Sequence, residues 1–143
     1  MDNSADLPGY KHYLLRSDAS RPGVFVAFLD LVQDAGCAVN GVVRPVDETD
    51  LSELDRRERN YERVDVSDGI EAARGTVWAY VGSPAGRARL RGARGAGIAV
   101  VSRDYLADVR AGFAALGAEQ LAGFERSSEL EGLPIMQLDR IDH

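Results

Sequence analysis

The first two thirds of the chain contain short runs of β-branched and aromatic residues separated by turn residues, and this pattern constrains the fold most. Such runs are typical of strands, because these side chains pack well on a pleated surface. The five runs are Val24 to Val32, Ala38 to Val43, Tyr61 to Val66, Thr76 to Val81 and Gly97 to Val101. Strands are therefore predicted to dominate this part of the chain.

Two connections between these runs have the composition of tight reversals. The segment "QDAGC" joins the first two runs, and "SDGIEAARG" joins the third and fourth. Asp and Gly favour such turns, because they tolerate the backbone conformations that a reversal requires. The sequence therefore predicts two antiparallel hairpins.

The pattern changes to helical spacing after Val101. Ser102 can cap a helix that Gly117 can end, and a second short helix is predicted from Ala118 to about Phe124. The apolar positions of the first helix are Tyr105, Val109, Phe113 and Leu116. A β-rich first part followed by helices predicts a mixed α+β fold.

Length and composition predict one globular domain, residues 1–143, because 45% of the residues are hydrophobic and this is enough for a core. The formal net charge of −6 argues against binding to nucleic acid or to an anionic membrane, since both would require a basic surface. The partner is therefore expected to be a small molecule. The sequence has no apolar run long enough for a membrane span and no export signal at its start, so a cytoplasmic location is expected.

The metal-binding and thiol residues are few. Cys37 has no second cysteine to pair with, and His12 and His143 are the two histidines. No common metal cluster can be assembled from these three residues, so no metal site is expected. Cys37 begins an apolar alternation and is predicted to be a packed strand thiol rather than a nucleophile.

Four arginines lie among small residues between Ala85 and Gly97. They are Arg87, Arg89, Arg91 and Arg94. The stretch is predicted to be a loop or a frayed helix. Clustered guanidinium groups can bind a carboxylate or phosphate, and the alternative is a solvated connection between strands. No aromatic residue is interleaved with them, so the stacking surface expected for single-stranded nucleic acid is missing.

The charged stretch "LDRRERNY" is predicted to lie mostly in a helix that begins at Asp50 or Leu51, with an Asp50–Glu53 capping box. In that register Leu51 and Leu54 form an apolar stripe, and Glu58 falls back in line with them. A carboxylate that faces a buried stripe requires pairing or hydrogen bonds, because its desolvation alone is costly. Asp55 borders the same stripe and is expected to bond nearby backbone.

The order of these features resembles the gamma-glutamylcyclotransferase-like superfamily over roughly residues 8–135. The span from Gly41 to Val66 carries a glycine-led strand, an acidic connection and the pattern L-x-x-L-D-x-x-E-x-x-Y-x-R-V-x-V, and Ser102 and Tyr105 match a second feature at the start of a helix. The resemblance implies a mixed, mainly antiparallel β-barrel-like sheet with flanking helices and a cavity between them.

The resemblance also implies a reaction. Enzymes of this superfamily make the α-amine of a γ-glutamyl amine or amide attack its own γ-carbonyl, which releases an amine and 5-oxoproline without a cofactor. Glu58 matches the general base of the family, and Tyr61 and Tyr105 match tyrosines near the substrate. The alternative for each tyrosine is a ring packed in the core with its hydroxyl on a backbone carbonyl.

One departure from the family pattern concerns the N-terminus. The first strand of the family ends in a short glycine-containing loop that holds the glutamyl head, and the printed sequence lacks this strand and loop. The alternative function is therefore a catalytically impaired module of the same fold that binds a small amino-acid-like ligand or assists assembly. A missing strand leaves an open sheet edge, so a homodimer through that edge is a further expectation.

Overall fold

A computed structural model describes residues 1–5, 11–70, 74–130 and 132–142. The chain divides into two compact units, which we describe separately. The first unit comprises Met1–Phe28, Cys37–Asn40 and Leu90–His143, and the second comprises Leu29–Gly36 and Gly41–Arg89. The single domain expected from the sequence stays a prediction.

The described residues form seven strands and four α-helices. The strands are β1 (His12–Leu15), β2 (Phe25–Ala27), β3 (Tyr61–Asp65), β4 (Trp78–Gly82), β5 (Ala99–Ser102), β6 (Ile135–Met136) and β7 (Leu138–Ile141). The helices are α1 (Glu48–Arg57), α2 (Pro84–Gly95), α3 (Arg103–Leu116) and α4 (Ala118–Ser127), and a short 3₁₀ turn covers Ser67–Gly69.

The strands of the described residues form three separate sheets. In the first unit β1 pairs with β7 antiparallel, and β5 lies between β2 and β6, parallel to both. In the second unit β3 and β4 form an antiparallel hairpin. The mixed α+β class is therefore confirmed. None of the described sheets is closed, so the β-barrel-like arrangement is not confirmed.

The core of the first unit forms around its central strand. All four residues of β5 are buried, as expected for a strand paired on both edges in a parallel sheet. The buried apolar cluster consists of Met1, Tyr13, Val26, Val100 and Leu138. Burial of these side chains supplies the main apolar stabilisation of this unit.

Both C-terminal helices begin where predicted and α3 ends at Gly117 as predicted, whereas α4 extends to Ser127, beyond its predicted end near Phe124. The hydroxyl of Ser102 accepts the Tyr105 N–H and caps α3, and Gly117 ends that helix. Gly117 has φ +124°, a conformation that favours glycine, and the next helix begins directly after it. The rings of Phe113 and Phe124 stack with centroids 4.5 Å apart, which packs the two helices together.

The β3–β4 hairpin is confirmed, and the start of α1 differs slightly from the prediction. The side chain of Asp47 accepts the Asp50 N–H at 2.8 Å, and Asp50 accepts the Asp47 N–H in return at 3.5 Å. The predicted Asp50–Glu53 capping box is therefore wrong, because an equivalent pair lies three residues earlier and starts the helix at Glu48.

The first predicted hairpin is wrong. Only Phe25–Ala27 of the first run forms a strand, and it pairs in parallel with β5. All residues from 38 to 43 are described, and none of them is in a strand. Val39, Val42 and Val43 are exposed there, which shows that β propensity is not realised without a pairing partner. Cys37 is exposed and lies outside any strand, so the prediction of a packed strand thiol is also wrong.

The arginine-rich stretch is a helix rather than a loop. α2 begins at Pro84, where proline is favoured because its fixed φ suits the first helical position. None of the helices in the described ranges has the length and apolar character of a membrane-spanning helix.

Candidate active site

Glu58 lies at the C-cap of α1, where the helix turns into β3. Its N–H donates to the Leu54 carbonyl at 2.8 Å, and its own carbonyl accepts the Tyr61 N–H at 3.0 Å. Leu51, Leu54 and Glu58 are half-buried while their helical neighbours are exposed, so the stripe read from the sequence is present. The Glu58 side chain is 26% exposed, and its carboxylate pairs with the Arg57 guanidinium at 3.0 Å.

Tyr61 opens β3 three residues after Glu58. Its hydroxyl donates to the Leu29 carbonyl at 2.6 Å, and both residues belong to the second unit. A bond to a backbone carbonyl is what the alternative role predicted for this tyrosine. A phenolic hydroxyl can accept as well as donate a hydrogen bond.

Tyr105 lies in the first unit, in the first turn of α3. Its ring contacts Phe28 edge to face, with centroids 5.1 Å apart and an interplanar angle of 82°. The structure thus brings Glu58 and Tyr61 together within one unit, and it describes Tyr105 within the other.

A polar cluster beside Glu58 was not predicted from the sequence. The Tyr80 hydroxyl donates to the Asp55 carboxylate at 2.7 Å, and an Arg63 nitrogen lies 3.4 Å from the same carboxylate. The Arg63 guanidinium also lies 4.8 Å from the centroid of the Trp78 ring. The expectation that Asp55 bonds nearby backbone is wrong, because its carboxylate accepts the Tyr80 hydroxyl of β4 and forms an ion pair with Arg63 of β3. Part of this cluster could have been found from the sequence. Side chains alternate between the two faces of a strand, so Arg63 shares a face with Tyr61, and the hairpin register places Arg63 opposite Tyr80.

The chemistry of this cluster keeps Tyr80 a hydrogen-bond donor. Burial raises the pKa of the Tyr80 phenol, and the hydrogen bond and charge of Asp55 raise it further. The Arg63 charge opposes this shift and the Glu58 charge adds to it, so the pKa of Tyr80 responds to both neighbours. The Tyr80 phenol therefore stays protonated at neutral pH and can donate its hydrogen bond to Asp55.

The turn between Glu58 and Tyr61 is fixed to the start of α2. The Asn60 carbonyl accepts the Ser83 N–H at 2.9 Å, and the Asn60 side-chain oxygen accepts a hydrogen bond from Arg89 at 2.5 Å. These contacts hold the peptide that follows the Glu58 C-cap. They also give Arg89, one of the four clustered arginines, a structural partner.

A second arginine of the same cluster holds the segment that carries the Tyr61 acceptor. The Asp30 carboxylate accepts the Gly82 N–H at 2.5 Å and the Arg87 Nε–H at 2.8 Å. Arg87 also donates to the Leu31 carbonyl at 2.9 Å. The chain around Leu29 is thereby joined to the end of β4 and the start of α2.

The described residues contain no group of His, Cys, Asp and Glu that could hold a metal ion. Of the histidines considered from the sequence, His143 lies outside the described residues.

Comparison with protein families gives a match to the family model for gamma-glutamyl cyclotransferase, AIG2-like, over residues 2–106. The chain belongs to this family. The match to the gamma-glutamyl cyclotransferase family includes Glu58, Tyr61 and Tyr105, and it contains α1, the β3–β4 hairpin, α2 and β5. No curated protein and no solved structure gives a significant match to the chain.

Proposed function

We propose that this protein is a cyclotransferase that acts on a small γ-glutamyl amine or amide and releases 5-oxoproline. The observation that carries the proposal is the family match, which spans 105 consecutive residues, 2–106, and includes the three candidate site residues. The reaction requires a base near a cationic amine, and a half-buried carboxylate such as Glu58 fits that requirement.

In the proposed mechanism Glu58 accepts one proton from the α-ammonium of the γ-glutamyl group. The freed amine nitrogen attacks the γ-carbonyl carbon, which closes a five-membered ring and places negative charge on the carbonyl oxygen. The intermediate collapses as the bond between the γ-carbon and the leaving nitrogen breaks. The proton held by Glu58 passes to that nitrogen, and the regenerated carboxylate then transfers the second proton from the ring nitrogen to the released amine. The products are therefore 5-oxoproline and an ammonium ion, and Glu58 returns to its carboxylate form.

The present partner of Glu58 does not obstruct this role. The Arg57 side chain is 69% exposed, and ion pairs of such exposed groups contribute about 0–1 kcal/mol. The α-ammonium of a substrate can therefore replace Arg57 beside Glu58 at little cost. Restriction of a substrate to a near-attack geometry is the main further requirement, since ring closure is intramolecular.

We also propose that Tyr61 and Tyr105 contact the substrate. The Tyr61 hydroxyl lies in the unit that holds Glu58, where it donates to the Leu29 carbonyl, and a phenolic oxygen can accept as well as donate a hydrogen bond. Substitution of each tyrosine by Phe, followed by measurement of KM for a γ-glutamyl amine, tests these contacts. An unchanged KM in both variants would remove them from the site.

The decisive experiment measures 5-oxoproline after incubation with a panel of γ-glutamyl amines and γ-glutamyl amino acids. Glu58→Gln is expected to lower kcat by about 10²-fold or more, the usual contribution of a positioned base. Glu53→Gln is the matched control, because Glu53 is an exposed glutamate on the same helix. Equal activity of Glu58→Gln and the wild type would exclude Glu58 as the base. Absence of product with every substrate, together with a ligand-dependent rise in Tm, would favour the binding module instead.

A further inference from the structure

The helix that carries Glu58 is not anchored by apolar burial alone. All ten residues of α1 are described, and none of them is fully buried. Leu51 and Leu54 are only half-buried. Their packing keeps the helix close to its neighbours, but it does not fix the rotation of the helix about its own axis. The rotation decides where Glu58 points, because each helical residue turns the side-chain direction by about 100°. Polar contacts therefore have to define it.

Asp55 makes those polar contacts. It lies three residues before Glu58, which places the two carboxylates on neighbouring positions of the same helical face. The Tyr80 hydroxyl donates to Asp55 and Arg63 forms an ion pair with it, and these two residues lie directly opposite each other in the β3–β4 hairpin. A carboxylate held by adjacent residues of two paired strands fixes both the position and the rotation of its helix.

We infer that Asp55 and Tyr80 are positioning residues for Glu58, which hold α1 on the hairpin so that the Glu58 carboxylate keeps a single orientation. This inference deepens the proposed function and rests on it for the role of Glu58 as the base. The two residues act through the helix and do not touch the substrate.

Tyr80 makes the stronger of the two contacts with Asp55. Its hydrogen bond is 2.7 Å long, whereas Arg63 lies at 3.4 Å from a carboxylate whose side chain is 44% exposed. An ion pair with that exposure is weakened by solvent, while a short hydrogen bond to a charged acceptor is directional. Arg63 supports the arrangement through its position over Trp78.

The first experiment needs no substrate. It compares amide hydrogen exchange of α1 in the wild type, in Tyr80→Phe and in Ser67→Ala. The control removes a hydroxyl that accepts the Val77 N–H at 2.9 Å and lies at the far end of the same hairpin. In Tyr80→Phe the amides of Leu54 to Glu58 are expected to exchange about tenfold faster than in the control, because local opening becomes easier. Equal exchange of α1 in the two variants would overturn the inference.

The second experiment separates positioning from general stability by kinetics. Tyr80→Phe is expected to lower kcat by about 10- to 100-fold and to leave KM within about twofold, since small displacements of a catalytic group have effects of this size. Asp55→Asn keeps an acceptor for Tyr80 and is expected to retain most of kcat, whereas Asp55→Ala is expected to behave like Tyr80→Phe. A raised KM with unchanged kcat, or equal losses in Asp55→Asn and Asp55→Ala, would overturn the inference.

The two experiments distinguish failure of the inference from failure of the proposed function. If the wild type forms no 5-oxoproline but Tyr80→Phe accelerates exchange in α1, the proposed reaction fails and the anchoring of the helix stands. If the wild type is active and Tyr80→Phe changes neither exchange nor kcat, the reaction stands and the positioning role fails.

Discussion

Two glycines of α2 are expected to respond to the same substitution with opposite signs. A Cβ built on Gly86 would lie 2.8 Å from the Asn60 carbonyl oxygen and 3.2 Å from the Ser83 hydroxyl. A Cβ built on Gly92 meets nothing within 4 Å. Both glycines lie in the helix Pro84–Gly95, so replacement by Ala offers each the helix-forming advantage of alanine.

The magnitudes follow from these contacts. Gly92→Ala is expected to stabilise the protein by about 0.5–1 kcal/mol, the usual gain for Gly to Ala in a helix. In Gly86→Ala the Asn60 carbonyl must move away, which also stretches its 2.9 Å hydrogen bond from the Ser83 N–H. Overpacking costs about 1–3 kcal/mol and a weakened hydrogen bond about 1 kcal/mol. After the helix gain is subtracted, a net destabilisation of about 1–3 kcal/mol remains.

Urea denaturation followed by far-UV circular dichroism measures both variants against the wild type. The difference in the free energy of unfolding between Gly92→Ala and Gly86→Ala is expected to be about 1.5–4 kcal/mol, with equal m-values. Stabilisation of the protein by Gly86→Ala to the same extent as by Gly92→Ala would refute the close approach of Asn60 to α2. Because Asn60 follows the Glu58 C-cap closely, Gly86→Ala is also expected to reduce 5-oxoproline formation.

Two further predictions concern a buried amide and an acidic turn. The fully buried Asn3 side chain donates to the carbonyls of Tyr13 and Pro22 and accepts the Tyr13 N–H, so Asn3→Ala is expected to lower the free energy of unfolding by about 2–4 kcal/mol. If urea denaturation shows that Asn3→Ala lowers the free energy of unfolding by less than about 1 kcal/mol, the backbone groups that lose their Asn3 partner cost less than this argument requires. The hydroxyl and N–H of Ser67 both donate to the Asp65 carboxylate and lower the pKa of Asp65 below its ordinary 3.8. These bonds therefore stabilise the folded protein fully at pH values above 3.8. The stabilisation is lost as the pH falls through the lowered pKa of Asp65 in the folded state. In Ser67→Ala the Asp65 titration followed by carboxyl NMR is expected to move up toward 3.8, and an unmoved midpoint would assign the shift to another cause.

Local signals in the sequence were sufficient for the elements that depend on neighbouring residues. The hairpin of Tyr61–Asp65 with Trp78–Gly82 and the helix between Ser102 and Gly117 both agree with the structure. In each case the deciding interactions, a turn or a cap, lie within a few residues of the element that they define. The sequence alone therefore contains the information that fixes them.

Pairing between distant segments was not predictable in the same way. Phe25–Ala27 pairs with Ala99–Ser102, more than 70 residues later, and nothing in either segment specifies a parallel partner. The run from Ala38 to Val43 has the composition of a strand but not its structure. Strand formation depends on a partner edge, and one sequence does not show which edges meet. The homodimer expected from an open edge stays a prediction, which light scattering can test through the molar mass.

In the candidate site, too, the features set by local sequence were predicted and those set by distant segments were not. Helical periodicity was enough to place Glu58 in line with Leu51 and Leu54. The partners of Asp55 required knowledge of the cross-strand register, which brings Arg63 and Tyr80 to the same point. The position of Glu58 depends on one helix and could be predicted from the sequence. The contacts of Asp55 depend on one helix and two paired strands, and they could not be predicted.

Trp78 is the one tryptophan of the sequence, and it lies beneath the guanidinium that contacts Asp55. The indole emission of the protein therefore originates from a single known place, next to the contact between α1 and the hairpin. Movement of α1 is expected to shift the Arg63 guanidinium relative to the Trp78 ring, and the fluorescence emission spectrum of the unlabelled protein then changes. The molecule consequently carries its own optical probe for ligand-induced motion at the proposed base.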